Sequence, residues 1–197
     1  MFQNRQEDFQ SVFEKVIYLY NSLPLKIIQQ NHKKIREHKI LHMSFPRAFF
    51  DGAVQNGMCA CGIFISMYED QNFSIHRNGR KGTNNRAKEM ALSGLLQFWS
   101  FLNIPSLQIY GDSKIIIDHV TGKLSIKNHL LTGWMNIIDY LWRRNKDYTL
   151  QHVDRRQNTL ANNLSKKGLL SRPSKWKMDI LLGGNTYQIE DFYLLDT

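Results

Sequence analysis

The chain's hydrophobic and polar positions divide it into a helical opening, a strand-rich middle, and an alternation of helices and strands after residue 84. Phe9, Val12, Phe13, Val16 and Ile17 recur at helical spacing, and Tyr20 continues the stripe. Pro24 interrupts it, and a second pattern through Ile27, Ile28 and Ile35 carries Lys33, Lys34, Arg36 and Lys39. Residues 1–44 read as an N-terminal helical arm, either a basic contact for nucleic acid or a lead-in helix whose charged face is merely solvated. From Phe45 the pattern changes to strands. Phe45–Val54 and Met58–Met67 flank Asn56-Gly57, a strong hairpin signal. The second of these strands is small and apolar at nearly every position, as expected for a strand covered on both faces. A turn at 70–72 leads to a short third strand, Phe73–Arg77. A long helix follows over about Asn84 to Phe101, with Ala87, Ala91, Leu92, Leu95 and Phe98 on one face.

Strand Leu107–Tyr110 comes next, then a helix from Ser113 with Ile116, Ile117 and Val120. A further helix over about Leu130 to Arg143 carries Trp134, Ile137, Ile138, Leu141 and Trp142. Asp147–Val153 reads as a fifth strand and Gln157–Lys167 as the closing helix. The order βββαβααβα predicts an α/β domain over residues 45–168, a mixed five-stranded sheet flanked by helices. Residues 169–197 contain Arg172-Pro173 and Gly183-Gly184 without a clear period, and read as a C-terminal tail that partly packs back on the domain.

Composition narrows the function classes. A chain of 197 residues holds one domain with appendages, and 42% hydrophobic with 12% aromatic residues excludes wholesale disorder. The formal net charge of +9 and pI near 9.6 favour polyanionic partners, nucleic acid before membrane. Cys59 and Cys61 lack the companions of a zinc site and read as reduced core residues. No apolar run is long enough to span a bilayer, and Met1–Asp8 lacks a secretory-signal pattern. The expectation is a monomer in cytoplasm or nucleus, without a membrane partner.

Two stretches carry the candidate chemistry: Phe49-Phe50-Asp51-Gly52-Ala53 and Leu107-Gln108-Ile109-Tyr110-Gly111-Asp112-Ser113. Apolar strands that each end in an aspartate hold both acids at one edge of a sheet, an arrangement that suits a hard divalent cation. Asp-Gly is also a common turn and Asp-Ser a common helix start, so the weight of the pair depends on its surroundings.

Those surroundings resemble a type 1 ribonuclease H domain, in the version found in plant proteins and non-LTR retrotransposons. Four blocks carry the resemblance in order: Phe50-Asp51-Gly52-Ala53; Thr83-Asn84-Asn85-Arg86-Ala87; Gly111-Asp112-Ser113; and His152-Val153 followed by Arg155, Asn158 and Ala161. The resemblance implies hydrolysis of the RNA strand of an RNA/DNA hybrid, with four carboxylates holding two Mg²⁺ ions. By it, Asp51 and Asp112 are metal ligands, and Asp51, Asp112, Asn162 and His152 make up the catalytic set. The chain departs from the family at two places. Lys88 stands where the family has a glutamate, and Asn162 where it has the last aspartate.

The departures change the electrostatics. Four carboxylates bring a charge of about −4 to balance two Mg²⁺ ions, whereas Asp51, Asp112, Lys88 and Asn162 bring −1. Asparagine still offers a carbonyl oxygen, but an ammonium offers no acceptor. At ~4 Å and an effective dielectric of ~20, two unit charges interact by about 4 kcal/mol, and a divalent ion is repelled by roughly twice that. Glu89 points off the site, because one step along a helix turns a side chain by about 100° and Ala87, Ala91 and Leu92 fix the register. An active enzyme would need a shifted helix start that turns Glu89 inward to join Asp51, Asp112 and Asn162.

Binding is the expectation that survives. By the resemblance, Asn84 and Asn85 reach RNA 2′-hydroxyls and base edges, the contacts that tell RNA from DNA. Arg77, Arg80, Lys81, Arg86 and Lys88 surround them as phosphate contacts, against the plainer reading of a solvated loop beside an asparagine-capped helix. His152 matches the family's mobile histidine, or is a hydrogen-bonded strand-end residue. Arg155 and Asn158 are expected to fix the loop and the start of the closing helix. Trp134 and Trp142 are better placed for core packing than for base stacking, and Lys123 and Lys127 are positioned to touch the DNA strand. The sequence thus predicts a ribonuclease H-like protein that binds RNA/DNA hybrid or structured RNA through a degenerate metal site. The alternatives are an active Mg²⁺-dependent hybrid endoribonuclease and a protein-interaction module that keeps only the fold.

Overall fold

The computed structural model describes residues 46–68, 70–102, 106–124, 133–145 and 147–194, together with Glu14. The N-terminal arm, apart from Glu14, and Lys127 lie outside the described residues. Seven strands form one sheet in the order β5-β4-β1-β2-β3-β6-β7. The first three are β1 (Arg47–Gln55), β2 (Met58–Tyr68) and β3 (Gln71–Lys81), antiparallel to one another. Asn56 and Gly57 both take positive φ, 52° and 75°, the backbone a tight hairpin between right-twisted strands requires. After helix α1 (Asn84–Leu102), strand β4 (Leu107–Gly111) runs parallel to β1. Helices α2 (Lys114–Val120) and α3 (Gly133–Arg144) precede β5 (Tyr148–His152), parallel to β4, and α4 (Thr159–Leu169) follows it.

The mixed α/β sheet with flanking helices agrees with the sequence pattern, but the sheet has seven strands rather than five. The stretch read as a C-terminal tail supplies β6 (Trp176–Leu182) and β7 (Asn185–Phe192), which extend the sheet from β3. Along β6 burial alternates strictly, with Trp176, Met178, Ile180 and Leu182 inside. That alternation was readable in the sequence, as was the Gly183-Gly184 turn, whose φ values are 54° and 83°. The third strand is also longer than its hydrophobic run, reaching Lys81.

The main core joins Phe50, Ile63, Ile65 and Ile75 of the sheet to Leu92, Leu95 and Trp99 of α1 and Trp134 and Ile138 of α3. Trp134 is thus a core residue, and Trp142 is partly buried against the same cluster. A smaller cluster of Phe49, Tyr110, Val153 and Ala161 lies under α4. Cys59 and Cys61 are free and buried. Among the described residues no helix is long and apolar enough to cross a membrane.

Candidate functional site

The two aspartates are placed by strand register. Phe50 and Gly111 form the last β1–β4 pair, so Asp51 and Asp112 each stand one residue beyond it, on neighbouring strands. Asp51 is 2% exposed on a strand whose other inner residues are apolar. Helix α1 lies close over β1 because residue 52 is glycine: a Cβ there would stand 2.5 Å from the backbone nitrogen of Lys88. The same contact sets residue 88 directly over the aspartates.

Lys88 closes the site. Its Nζ donates a hydrogen bond to Asp112 Oδ1 and forms an ion pair with Asp51 Oδ1 at 3.1 Å. All three side chains are at most 10% exposed. Burial pushes the Asp51 carboxyl above its usual range; the Lys88 ammonium pulls it down, and the Asp112 carboxylate adds to the rise. The chain itself therefore already supplies a counter-charge to the pair of acids, one ammonium shared between both.

An open cleft of about 530 Å³ spreads in front of the triad. Asn84, Arg155, Asn162 and Lys166 line it together with Lys88 and the aspartates. Asn162 thus reaches the site that its sequence position implied. His152 does not: it is exposed at the end of β5 and forms no part of the cleft wall. Glu89 is buried and also off the cleft. Lys166 was not singled out from the sequence, although it follows Asn162 by four residues and so shares its helix face. Arg155, expected only to fix a loop, is a wall of the cleft.

The start of α1 is capped differently from expectation. Thr83 Oγ1 accepts the Arg86 backbone N–H at 3.2 Å, so threonine caps the helix and the side chains of Asn84 and Asn85 are not needed for it. Asn84, Asn85, Arg86, Arg80 and Lys81 are all exposed on this rim. Asn158 has a more specific role than a helix start. Fully buried, it donates from Nδ2 to the Phe50 carbonyl at 3.0 Å, tying α4 to the residue before Asp51.

The resemblance noted in the sequence implies two Mg²⁺ ions here, and the donor set does not fit them. The ammonium stands against the inward oxygens of both aspartates, where a cation would bind, and Asn162 is the only further oxygen donor inherited from the family position. Among the described residues no three acidic, histidine or cysteine side chains gather to hold a metal. Charge balance points the other way. Lys88, Arg155 and Lys166 outnumber Asp51 and Asp112, so the cleft is a place for an anion.

A family model described as reverse transcriptase-like matches residues 49–168. No curated protein matches the sequence. Among solved structures, RNase H1 from the halophilic archaeon Halobacterium salinarum is similar at 23% identity and a TM-score of 0.58, over 63% of this chain and 96% of that one. LC11-RNase H1 in complex with an RNA/DNA hybrid is similar at 18% identity and a TM-score of 0.57, over 64% and 99%. The N-terminal RNase H domain of rv2228c from Mycobacterium tuberculosis gives 18% and 0.54, over 63% and 94%. The likeness is one of fold, and β6 and β7 lie beyond the segment the family model covers.

Proposed function

The chain belongs to the reverse transcriptase-like family, and on that premise we propose that it binds RNA/DNA hybrid without cutting it. The observation that carries the proposal is the Lys88 ammonium paired with both Asp51 and Asp112. A lysine so placed takes the role of the metals as counter-charge but brings neither a Lewis acid nor an activated water. Asp51 and Asp112 hold the ammonium in position, and Lys88, Arg155 and Lys166 offer positive charge to a backbone phosphate at the cleft. Asn84 and Asn85, released from capping, present amides to the minor groove, where 2′-hydroxyls mark the RNA strand.

The test is fluorescence anisotropy with a labelled hybrid in EDTA, beside duplex DNA and structured RNA, followed by incubation with Mg²⁺ and Mn²⁺. The expected result is hybrid binding without divalent ions, weakening as salt rises, with the RNA strand left intact. Metal-dependent cleavage abolished by Asp51→Asn would establish the hydrolase instead. Tighter binding of structured RNA would move the substrate class, and no nucleic-acid binding at all would favour a protein-interaction module.

A further inference from the structure

We infer that the segment connecting α4 to β6 positions the nucleic-acid rim, with Ser174 holding the Arg80 guanidinium for a backbone phosphate. The inference rests on the hybrid-binding reading and deepens it. Arg80 Nε donates to Ser174 Oγ at 2.7 Å, across 94 residues of chain. The guanidinium is a rigid fork, so fixing Nε fixes the direction of its terminal nitrogens, which form the edge suited to phosphate.

Both partners are held in unusual backbone conformations by one buried residue. Arg80 and Ser174 have φ of 68° and 71°, left-handed values that side chains other than glycine seldom adopt. Asn78 stabilises both turns. Its Oδ1 accepts the Arg80 N–H at 3.2 Å, and its backbone carbonyl accepts the Ser174 N–H at 2.8 Å. Its Nδ2 donates to the Leu169 and Ser171 carbonyls at 3.3 and 3.2 Å, anchoring the segment that connects α4 to β6. The α4–β6 connection is therefore tied to the basic loop by a network rather than by one contact.

The outcome is a pocket of about 380 Å³ walled by Arg77, Arg80, Lys81, Arg86, Trp134 and Ser174, with no acidic side chain in its lining. Three exposed cations, Arg80, Lys81 and Arg86, around one concavity select a polyanion, and the α4–β6 connection supplies the hydroxyl that orients one of them.

Hybrid affinity and its salt dependence, measured for Ser174→Gly, Ser174→Ala, Ser174→Asn, Arg80→Ala and the Ser174→Gly/Arg80→Ala double variant, test this. Glycine suits the left-handed φ, so Ser174→Gly is expected to melt no lower than wild type while binding roughly threefold more weakly. Ser174→Ala weakens binding likewise, and Ser174→Asn, which keeps an acceptor and tolerates this φ, recovers most of it. Arg80→Ala lowers the slope of log affinity against log salt by about 1, and the double variant binds no worse than Arg80→Ala alone. Wild-type affinity in Ser174→Gly, or additive losses in the double variant, would overturn the positioning role while leaving hybrid binding in place. A wild-type protein that ignores hybrid at low salt would overturn both.

Discussion

Gly52 and Lys88 touch backbone to backbone: no Cβ fits at residue 52, because it would stand 2.5 Å from the Lys88 nitrogen and 2.6 Å from the Ala87 Cβ. This contact makes the position of residue 88 a property of the fold. Any side chain at 88 projects toward the β1–β4 notch. Gly52→Ala is expected to push α1 away and cost about 1–3 kcal/mol, the usual range for overpacking. Urea denaturation measures it, and a loss under about 0.5 kcal/mol would show that α1 is not seated as described.

Removing the ammonium leaves two carboxylates facing each other in a largely buried site. Lys88→Met is expected to destabilise the protein by about 3 kcal/mol at neutral pH, as breaking a buried pair does. Adding Asp51→Asn to Lys88→Met recovers part of that loss, because the remaining acid no longer opposes a buried neighbour. A double variant less stable than Lys88→Met at pH 7 would contradict the pairing.

His76 gives the chain an acid-sensitive point. It is buried on β3 beside Lys177 of β6, and burial, with the nearby Lys167 charge, lowers its pKa from 6.5 to about 4 against the opposing pull of Asp179. The unfolded chain therefore takes up its proton at higher pH than the folded one. Stability is unaffected above about pH 6.5 and falls as pH drops toward 4, by up to about 3 kcal/mol for a shift of this size. Denaturant midpoints across that window check it: His76→Gln should flatten the decline, and equal slopes in both proteins would refute the assignment.

The hairpin is part of the core. Trp176 is fully buried, and its ring fills the space left by Gly94 on α1, where a Cβ would stand 2.3 Å from the indole. Arg77 lies over the same ring at 5.4 Å from its centroid and over Trp134 at 5.7 Å. Trp176→Ala is expected to cost about 3–5 kcal/mol. A thermal melt near that of the parent would mean that β6 contributes little to the fold.

The sequence made the central architecture legible because its signals were strong there: the apolar runs of β1 and β2, the Asn56-Gly57 turn between them, and the stripe from Ala87 to Phe98 on α1. The hairpin was missed although Trp176 to Leu182 alternates, because a seven-residue run beside the glycine pair carries little weight without a partner strand in view. The Asp51–Lys88–Asp112 grouping was foreseen through family position, and local pattern alone would have left it as a turn and a helix start. The contacts that sequence spacing could not show are long-range. Asn158 to Phe50 and Ser174 to Arg80 span 108 and 94 residues, and only the closed sheet brings them together. Thr83 rather than an asparagine caps α1, a choice between adjacent polar residues that composition does not decide.

Titration calorimetry with Mn²⁺ on the wild-type protein, Lys88→Glu and Lys88→Glu/Asp51→Asn tests most directly whether an internal ammonium has displaced the metals. Wild type is expected to give no saturable heat, Lys88→Glu a saturable isotherm, and the double variant none. Saturable Mn²⁺ binding by wild type that disappears on Asp51→Asn would contradict the displacement outright.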